Sequence, residues 1–257
     1  IYGDMTLVGL TLSDPKGVFA TSPKVRVDWR PFRFVTQNLL DIRTLSSPQV
    51  RLMRLPELIP SEDDEGPLLP GFDIDVDRLD IRQLILEEPV AGKRSIASLE
   101  GSVAIENQIA KLILDAKTLR KQGLAGGDMV HVKLIAAPEQ NRLDIDLDLS
   151  APADGLVASF ANLDRPIRAQ LKGSGDWKRW NGKLLVDLGG DRIAALDLAA
   201  RDGTFRVRGT TDPGLLLTGP TKALLSPLTR IDLVTQVDNS RFDVKGSVSS
   251  DNFALTA

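Results

Sequence analysis

The residues with the clearest chemical potential lie in Arg142-Leu-Asp-Ile-Asp-Leu-Asp-Leu-Ser150, where three carboxylates recur at every second position. A helix–loop–helix calcium site spaces its acids in the same way, but it also needs a glycine at loop position six and a glutamate at position twelve. Counted from Asp144, those positions hold Leu149 and Gly155. The interleaved aliphatic residues suit a strand better than a loop around a hydrated ion. In a strand, Leu143, Ile145, Leu147 and Leu149 share one face, and Asp144, Asp146 and Asp148 share the other.

The remaining chemical motifs are incomplete. A serine triad would have to use His131, the only histidine, which sits in the alternating run Met-Val-His-Val-Lys-Leu. Ala91-Gly-Lys-Arg-Ser95 resembles a phosphate loop, but the glycine required five positions before Gly92 is Glu87. Lys172-Gly-Ser-Gly-Asp-Trp-Lys-Arg-Trp-Asn-Gly182 has Gly173 and Gly175 but lacks the third glycine of a dinucleotide fingerprint, and no helix pattern follows it. Acid pairs of the glycosidase kind are neither identified nor excluded among 35 acidic residues. We expect no catalysis, no cofactor and no metal.

Stepping outward, alternation with period two dominates the chain. Val25, Val27 and Trp29 form one dry face. The same pattern sets Phe72, Ile74 and Val76 together, then Val130, Val132 and Leu134, and later Leu184, Val186 and Leu188. Phe205 with Val207, Ile231 with Leu233, and Phe242 with Val244 continue it. Gly126-Gly127, Gly189-Gly190-Asp191, Asp202-Gly203 and Asp238-Asn239 punctuate these runs as turns. The spacing predicts roughly a dozen strands, mostly antiparallel because the connections are too short for crossovers.

Three short segments carry helical spacing instead. Phe32, Val35 and Leu39 follow Pro31. Leu156, Val157, Phe160 and Leu163 follow Asp154, an expected cap. Leu224, Leu225 and Leu228 follow Pro220. Each is too short to stand alone and must pack on the sheet. The acidic run Ser61-Glu-Asp-Asp-Glu-Gly66 reads as a solvated loop within 61–70, between an N-terminal portion (1–60) and a longer strand series (71–257).

Composition sets further bounds. The chain has 257 residues and a net charge of −3 with acids and bases interleaved, which gives no electrostatic footprint for nucleic acid. It has no cysteine, which excludes disulfides and thiolate chemistry. It opens at Ile1 and closes at Ala257 in strand-like runs, and we expect a piece of a longer protein.

Several segments together resemble one family. Leu12, Asp14 and Gly17 form a Leu-x-Asp-x-x-Gly turn; Trp29 and Pro31 follow as Trp-x-Pro, then a Leu-rich short helix, then Arg54-Leu-Pro56. Later a Leu-Asp-rich strand leads to Gly155-Leu156, to Gly173-x-Gly175, and to a tryptophan, Trp177 or Trp180. In this order the features are similar to the TamB-like (translocation and assembly module) proteins among the AsmA-like envelope proteins of Gram-negative bacteria.

That resemblance implies a mainly β fold, a long antiparallel sheet curled into an open trough (a β-taco) with a few short helices. It also implies a periplasmic location, an inner-membrane anchor lying outside this chain, and an outer-membrane barrel partner, TamA, met through a C-terminal domain also outside it. The implied role is conduction of phospholipids between two membranes, with assembly of outer-membrane proteins as the alternative. The groove candidates are the dry-face residues Val25, Val27, Phe72, Ile74, Val76, Val130, Val132, Leu134, Leu143, Ile145, Leu147, Leu149, Leu184, Val186, Leu188, Ile231 and Leu233.

Overall fold

A computed structural model of the protein describes residues 3–56, 70–120, 123–124, 126–176, 178–215, 228–238, 241–251 and 253–256. The protein is one large, mostly antiparallel sheet of sixteen strands. It opens with β1 (Gly3–Asp14), β2 (Gly17–Trp29), β3 (Leu39–Ser47), β4 (Val50–Leu52) and β5 (Asp73–Leu86). A meander of β6 (Ser95–Glu106), β7 (Ile109–Thr118), β8 (Met129–Ala137), β9 (Arg142–Ala151) and β10 (Ile167–Gly175) continues it. β11 (Arg179–Leu188), β12 (Asp191–Arg201), β13 (Thr204–Thr211), β14 (Thr229–Asp238), β15 (Arg241–Ser250) and β16 (Phe253–Thr256) complete it.

Neighbours in sequence are neighbours in space except at β3–β5. There β3 and β4 lie parallel to β5, while β4 also pairs with β2. β3 and β4 act as one strand broken at Pro48, which cannot donate to the ladder. The Ser22 and Ser47 hydroxyls lie 2.9 Å apart across the break and each lies 2.9 Å from the Gln49 carbonyl, so one can donate to the other hydroxyl while the second donates to the carbonyl. The β3–β5 pairing joins the strands on either side of the expected acidic loop, and Ser61–Gly66 itself lies outside the described residues.

Among the described residues, three short helices, α1 (Pro31–Gln37), α2 (Glu88–Ala91) and α3 (Leu156–Phe160), interrupt the sheet. Proline begins α1, and Asn38 in the left-handed conformation (φ 55°) ends it, so Leu39 starts β3 instead of extending the helix. The flank expected to pack is the exposed one: Val35 is 82% accessible. Phe34 makes the inward contact, edge-to-face on Phe72 at 5.7 Å. α2 had no clear signal in the sequence. The helix expected around Leu224, Leu225 and Leu228 falls largely outside the described residues.

Asp154 does not cap α3. It pairs with Arg120 at 2.6 Å, and the cap comes from Asp128, just before β8. The Asp128 carboxylate accepts the Leu156 and Val157 amides at 2.7 and 3.0 Å and the Thr118 hydroxyl at 2.5 Å. This carboxylate is 2% exposed, so its cost of burial is offset only because both oxygens are satisfied. A distant residue thus supplies what local spacing assigned to a neighbour.

The two rims of the sheet differ. α2, α3 and the short 3-10 turn Pro213–Leu215 all lie on the rim where β5, β9 and β13 end, while tight turns at Asn107–Gln108 and Asp202–Gly203 mark the other. Along the helix rim, α2 and α3 meet: Phe160 lies against Gly92, and the Lys93 ammonium donates to Ser159 Oγ at 2.9 Å. Their hairpins are separated by the intervening strands β7 and β8, so this contact requires the sheet to curl. Most fully buried residues, including Ala20, Ser47, Ser95, Ala97, Asp128, Ala151, Ala158, Leu188, Ile193 and Thr229, lie on that rim.

Elsewhere the dry face remains partly open. The accessible surface is 16038 Å², whereas a compact monomer of 27.9 kDa presents about 11,000 Å². A closed sandwich would bury one inner face on another and approach the smaller value.

Candidate functional site: an apolar row across the sheet

The strand register turns local alternation into one continuous feature. Met5 lies opposite Val27, Val27 opposite Leu45, and Leu45 opposite Leu79. The row continues through Gly101, Leu114, Val132 and Leu147. It passes through Leu171, Leu184, Leu196 and Gly209, and ends at Ile231, Val248 and Leu255. Every strand on the main path contributes one residue, and each is methionine, aliphatic or glycine. At ~4.8 Å per strand the row is roughly 65 Å long. A one-residue slip of β2, β5 or β9 in either direction would place a charge in it: Arg26 or Asp28, Arg78 or Asp80, Asp146 or Asp148.

The expected groove residues divide between this lining and the closed core. Val130, Val132, Leu134, Leu143, Ile145, Leu147, Leu149, Leu184, Val186, Ile231, Leu233 and Ile74 are half-buried on the dry face. Val25, Val27, Val76 and Leu188 are buried, so they form floor or core in place of open lining. Phe72 precedes β5 and is taken up by Phe34. The side chains of Phe242 and Val244 lie outside the described residues. Sequence reasoning passed over Leu45, Leu79, Leu114, Leu171 and Leu196. They carry the same alternation, but bulges between Val76 and Leu79 and between Ile81 and Leu84 break its period in β5.

Two cavities deepen the dry face. One, of about 300 Å³, is walled by Leu7, Leu10, Leu12, Val25, Leu45 and Ile81 from β1, β2, β3 and β5. The other, of about 380 Å³, is walled by Leu143, Ile145, Trp180, Leu198, Phe205 and Val207 near the hairpin rim. A hollow of about 730 Å³ lies mainly along the polar face, among Glu100, Asp115, His131, Asp148, Arg168 and Asp187. A twisted sheet is saddle-shaped, which allows both faces to be concave along different diagonals.

On the polar face, the acids of the opening motif act as strand-surface partners. Asp144 takes the Arg142 guanidinium at 2.6 Å, Asp146 the Lys172 ammonium at 3.1 Å, and Asp148 the Gln170 amide at 2.7 Å. Among the described residues no three histidine or acid side chains converge as metal ligands. His131 Nδ1 contacts Asp115 Oδ1 at 2.8 Å, with both side chains open to solvent. Arg206 grips Asp232 through two bonds of 2.8 and 2.7 Å and holds its carboxyl below the usual range. Asp75 is displaced the other way: burial raises its pKa first, then the charges of Asp77, Asp41 and Glu106.

Among the described residues, each outer strand has one backbone edge with no partner strand. β1 exposes Met5, Leu7, Val8 and Leu12, and β16 exposes Phe253 and Leu255. No helix among the described residues is long and apolar enough to cross a membrane. Comparison of the chain with protein-family models, with curated proteins and with solved structures gives no match.

Proposed function

We propose that this chain is a segment of a TamB-like periplasmic bridge that conducts phospholipids along its dry face, without catalysis. The observation that carries the reading is the row from Met5 to Leu255, apolar in every strand of the main path apart from the glycines Gly101 and Gly209, on a face that no described element closes. An acyl chain leaving a bilayer exposes methylenes at ~0.8 kcal/mol each, so a sixteen-carbon chain costs roughly 12 kcal/mol in water. A continuous aliphatic lining offsets most of that at every position along the path. Because such contacts are non-directional, the chain can slide instead of lodging at one place. The charged opposite face keeps the outside wetted. The longer protein would supply the inner-membrane anchor and the contact with the barrel TamA.

The test is mass spectrometry of organic extracts from the purified chain beside a mock purification. Co-purifying phospholipid supports the conduit and identifies the cargo; a folded, lipid-free chain refutes it.

A second reading has its own observation, the exposed edges of β1 and β16, on which no described strand pairs. A scaffold for outer-membrane protein assembly would add client strands there through backbone hydrogen bonds. Proline at Val8 would then abolish function, whereas a conduit would tolerate it.

A further inference from the structure

We infer that the hollow on the polar face binds a small zwitterion, an aminoalkyl phosphate that sets its phosphate on Lys117 and Arg168 and its ammonium on Glu100. The site lies on the wet side of the sheet and is independent of the lipid path.

The hollow of about 730 Å³ is lined by two neighbouring rows that the register defines. Nearer the helix rim, Ser98, Lys117, Met129, Ser150 and Arg168 lie opposite one another in turn, from β6 to β10. Two positions along each strand, Glu100, Asp115, His131, Asp148 and Gln170 form the second row. Positions two apart share a face, so both rows belong to the hollow's own side of the sheet. They run roughly 7 Å apart.

The first row carries positive charge only. Lys117 and Arg168 are exposed, and neither has a hydrogen-bond or ion-pair partner among the described residues. Asp187 lies directly opposite Arg168 but is gripped by Arg192. Lys117 and Arg168 stand three strands apart, roughly 14 Å between backbones, a span that two long side chains can close around one anion. The Ser98 and Ser150 hydroxyls stand in the same row. Two free cations suit the double charge and three acceptor oxygens of a phosphate better than a carboxylate.

The second row has the opposite sign. Glu100 has no partner among the described residues and faces an acid on each side, Asp80 on β5 and Asp115 on β7. Like charges directly opposite are unfavourable, and an ammonium beside Glu100 relieves them. The other acids are already engaged: Asp115 with His131 at 2.8 Å, Asp148 with the Gln170 amide at 2.7 Å, and Asp80 with Arg78 at 3.9 Å.

Met129 joins the two halves. It is 51% exposed on a charged face, with Lys117 and Ser150 on either side. Methylenes linking a phosphate to an ammonium cover it. A polyanion would meet Glu100 and Asp115, and a polycation would meet Lys117 and Arg168. A ligand of both signs satisfies both rows. Alternation sends Val130 and Leu149 to the dry face, so this side has no continuous apolar wall for an acyl chain.

The probe is O-phosphoethanolamine, and the reporter is the imidazole proton signal of His131, the only histidine in the chain. Titration at fixed pH and ionic strength shifts that signal to saturation. Inorganic phosphate or ethanolamine alone requires about tenfold more to do so. K117Q/R168Q and E100Q each raise the half-saturating concentration about tenfold. Lys133→Gln, on the same face outside the hollow, leaves it unchanged. All four positions are exposed on strands, and circular dichroism checks that each variant folds. No shift at millimolar probe overturns the site. Equal binding of inorganic phosphate, or half-saturation unmoved in E100Q, overturns the zwitterion. A loss in Lys133→Gln as large as that in K117Q/R168Q means diffuse attraction and overturns the site. A shift with phosphatidylethanolamine vesicles but not with the free probe assigns the chemistry to a lipid surface and overturns the soluble ligand.

Discussion

Leu147→Asp tests the row at its middle. Leu147 lies on β9 between Val132 and Leu171 in register, with Ile145 and Leu149 beside it on the same face. It is half-buried, so the folded state forfeits about 1–1.5 kcal/mol of apolar burial, and the new carboxylate keeps part of its hydration. The fold therefore survives at a cost on the order of 1–3 kcal/mol. The effect on an occupant is larger in proportion. An alkyl chain running along the row crosses ~4.8 Å of lining per strand, roughly three or four methylenes. Losing their apolar contact at ~0.8 kcal/mol each costs about 3 kcal/mol, on the order of a hundredfold in occupancy. The assay is phospholipid per protein by mass spectrometry, with circular dichroism and the melting temperature as controls for folding. Asp148→Asn, one position along and on the opposite face, should leave the lipid load unchanged. A folded Leu147→Asp chain carrying the wild-type load would refute the reasoning, because no route along the dry face avoids this strand.

Four further substitutions test the architecture. Asp128→Ala removes the shared acceptor of Thr118, Leu156 and Val157 and should cost about 2–4 kcal/mol. Asp154→Ala should cost under about 0.5 kcal/mol, since its pair with Arg120 is exposed; equal melting temperatures would reassign the cap. Gly173→Val would drive a side chain into the Trp180 ring, costing about 1–3 kcal/mol and shifting indole emission to the red; an unshifted spectrum would mean that the ring does not lie on the glycine. The raised pKa of Asp75 means that the folded chain binds its proton more tightly than the unfolded chain. Its ionisation is thus a penalty, fully present above the folded pKa and relieved as pH falls through that value toward 3.8. Asp75→Asn should raise the melting temperature at neutral pH and lose that advantage in acid; a gain independent of pH would contradict the charge argument.

Much of this protein was legible as sequence because side-chain alternation in a strand is a local property. The run from Leu143 to Leu149 declared its two faces without any knowledge of its neighbours, and it already spoke against a calcium loop. The mainly β class, the antiparallel order and the dry face follow from such runs. The helical spacing of Phe32 and Val35 likewise announced α1.

Tertiary structure decided whatever depends on which strand meets which. Bulges in β5 hid Leu79 from the alternation, yet register places it between Leu45 and Gly101 in the row. The cap of α3 came from Asp128, remote in sequence, because a buried carboxylate can satisfy several donors that curling brings to it. Val25, Val27, Val76 and Leu188 share the alternation of Leu147 but are buried. Curvature and the packing along the helix rim, rather than residue type, separate core from open lining. The pairing of Gly173 with Gly182 beneath Trp180 is legible only once two strands are in register. Spacing along the chain fixes the face a residue is on; pairing across the sheet fixes what that face meets.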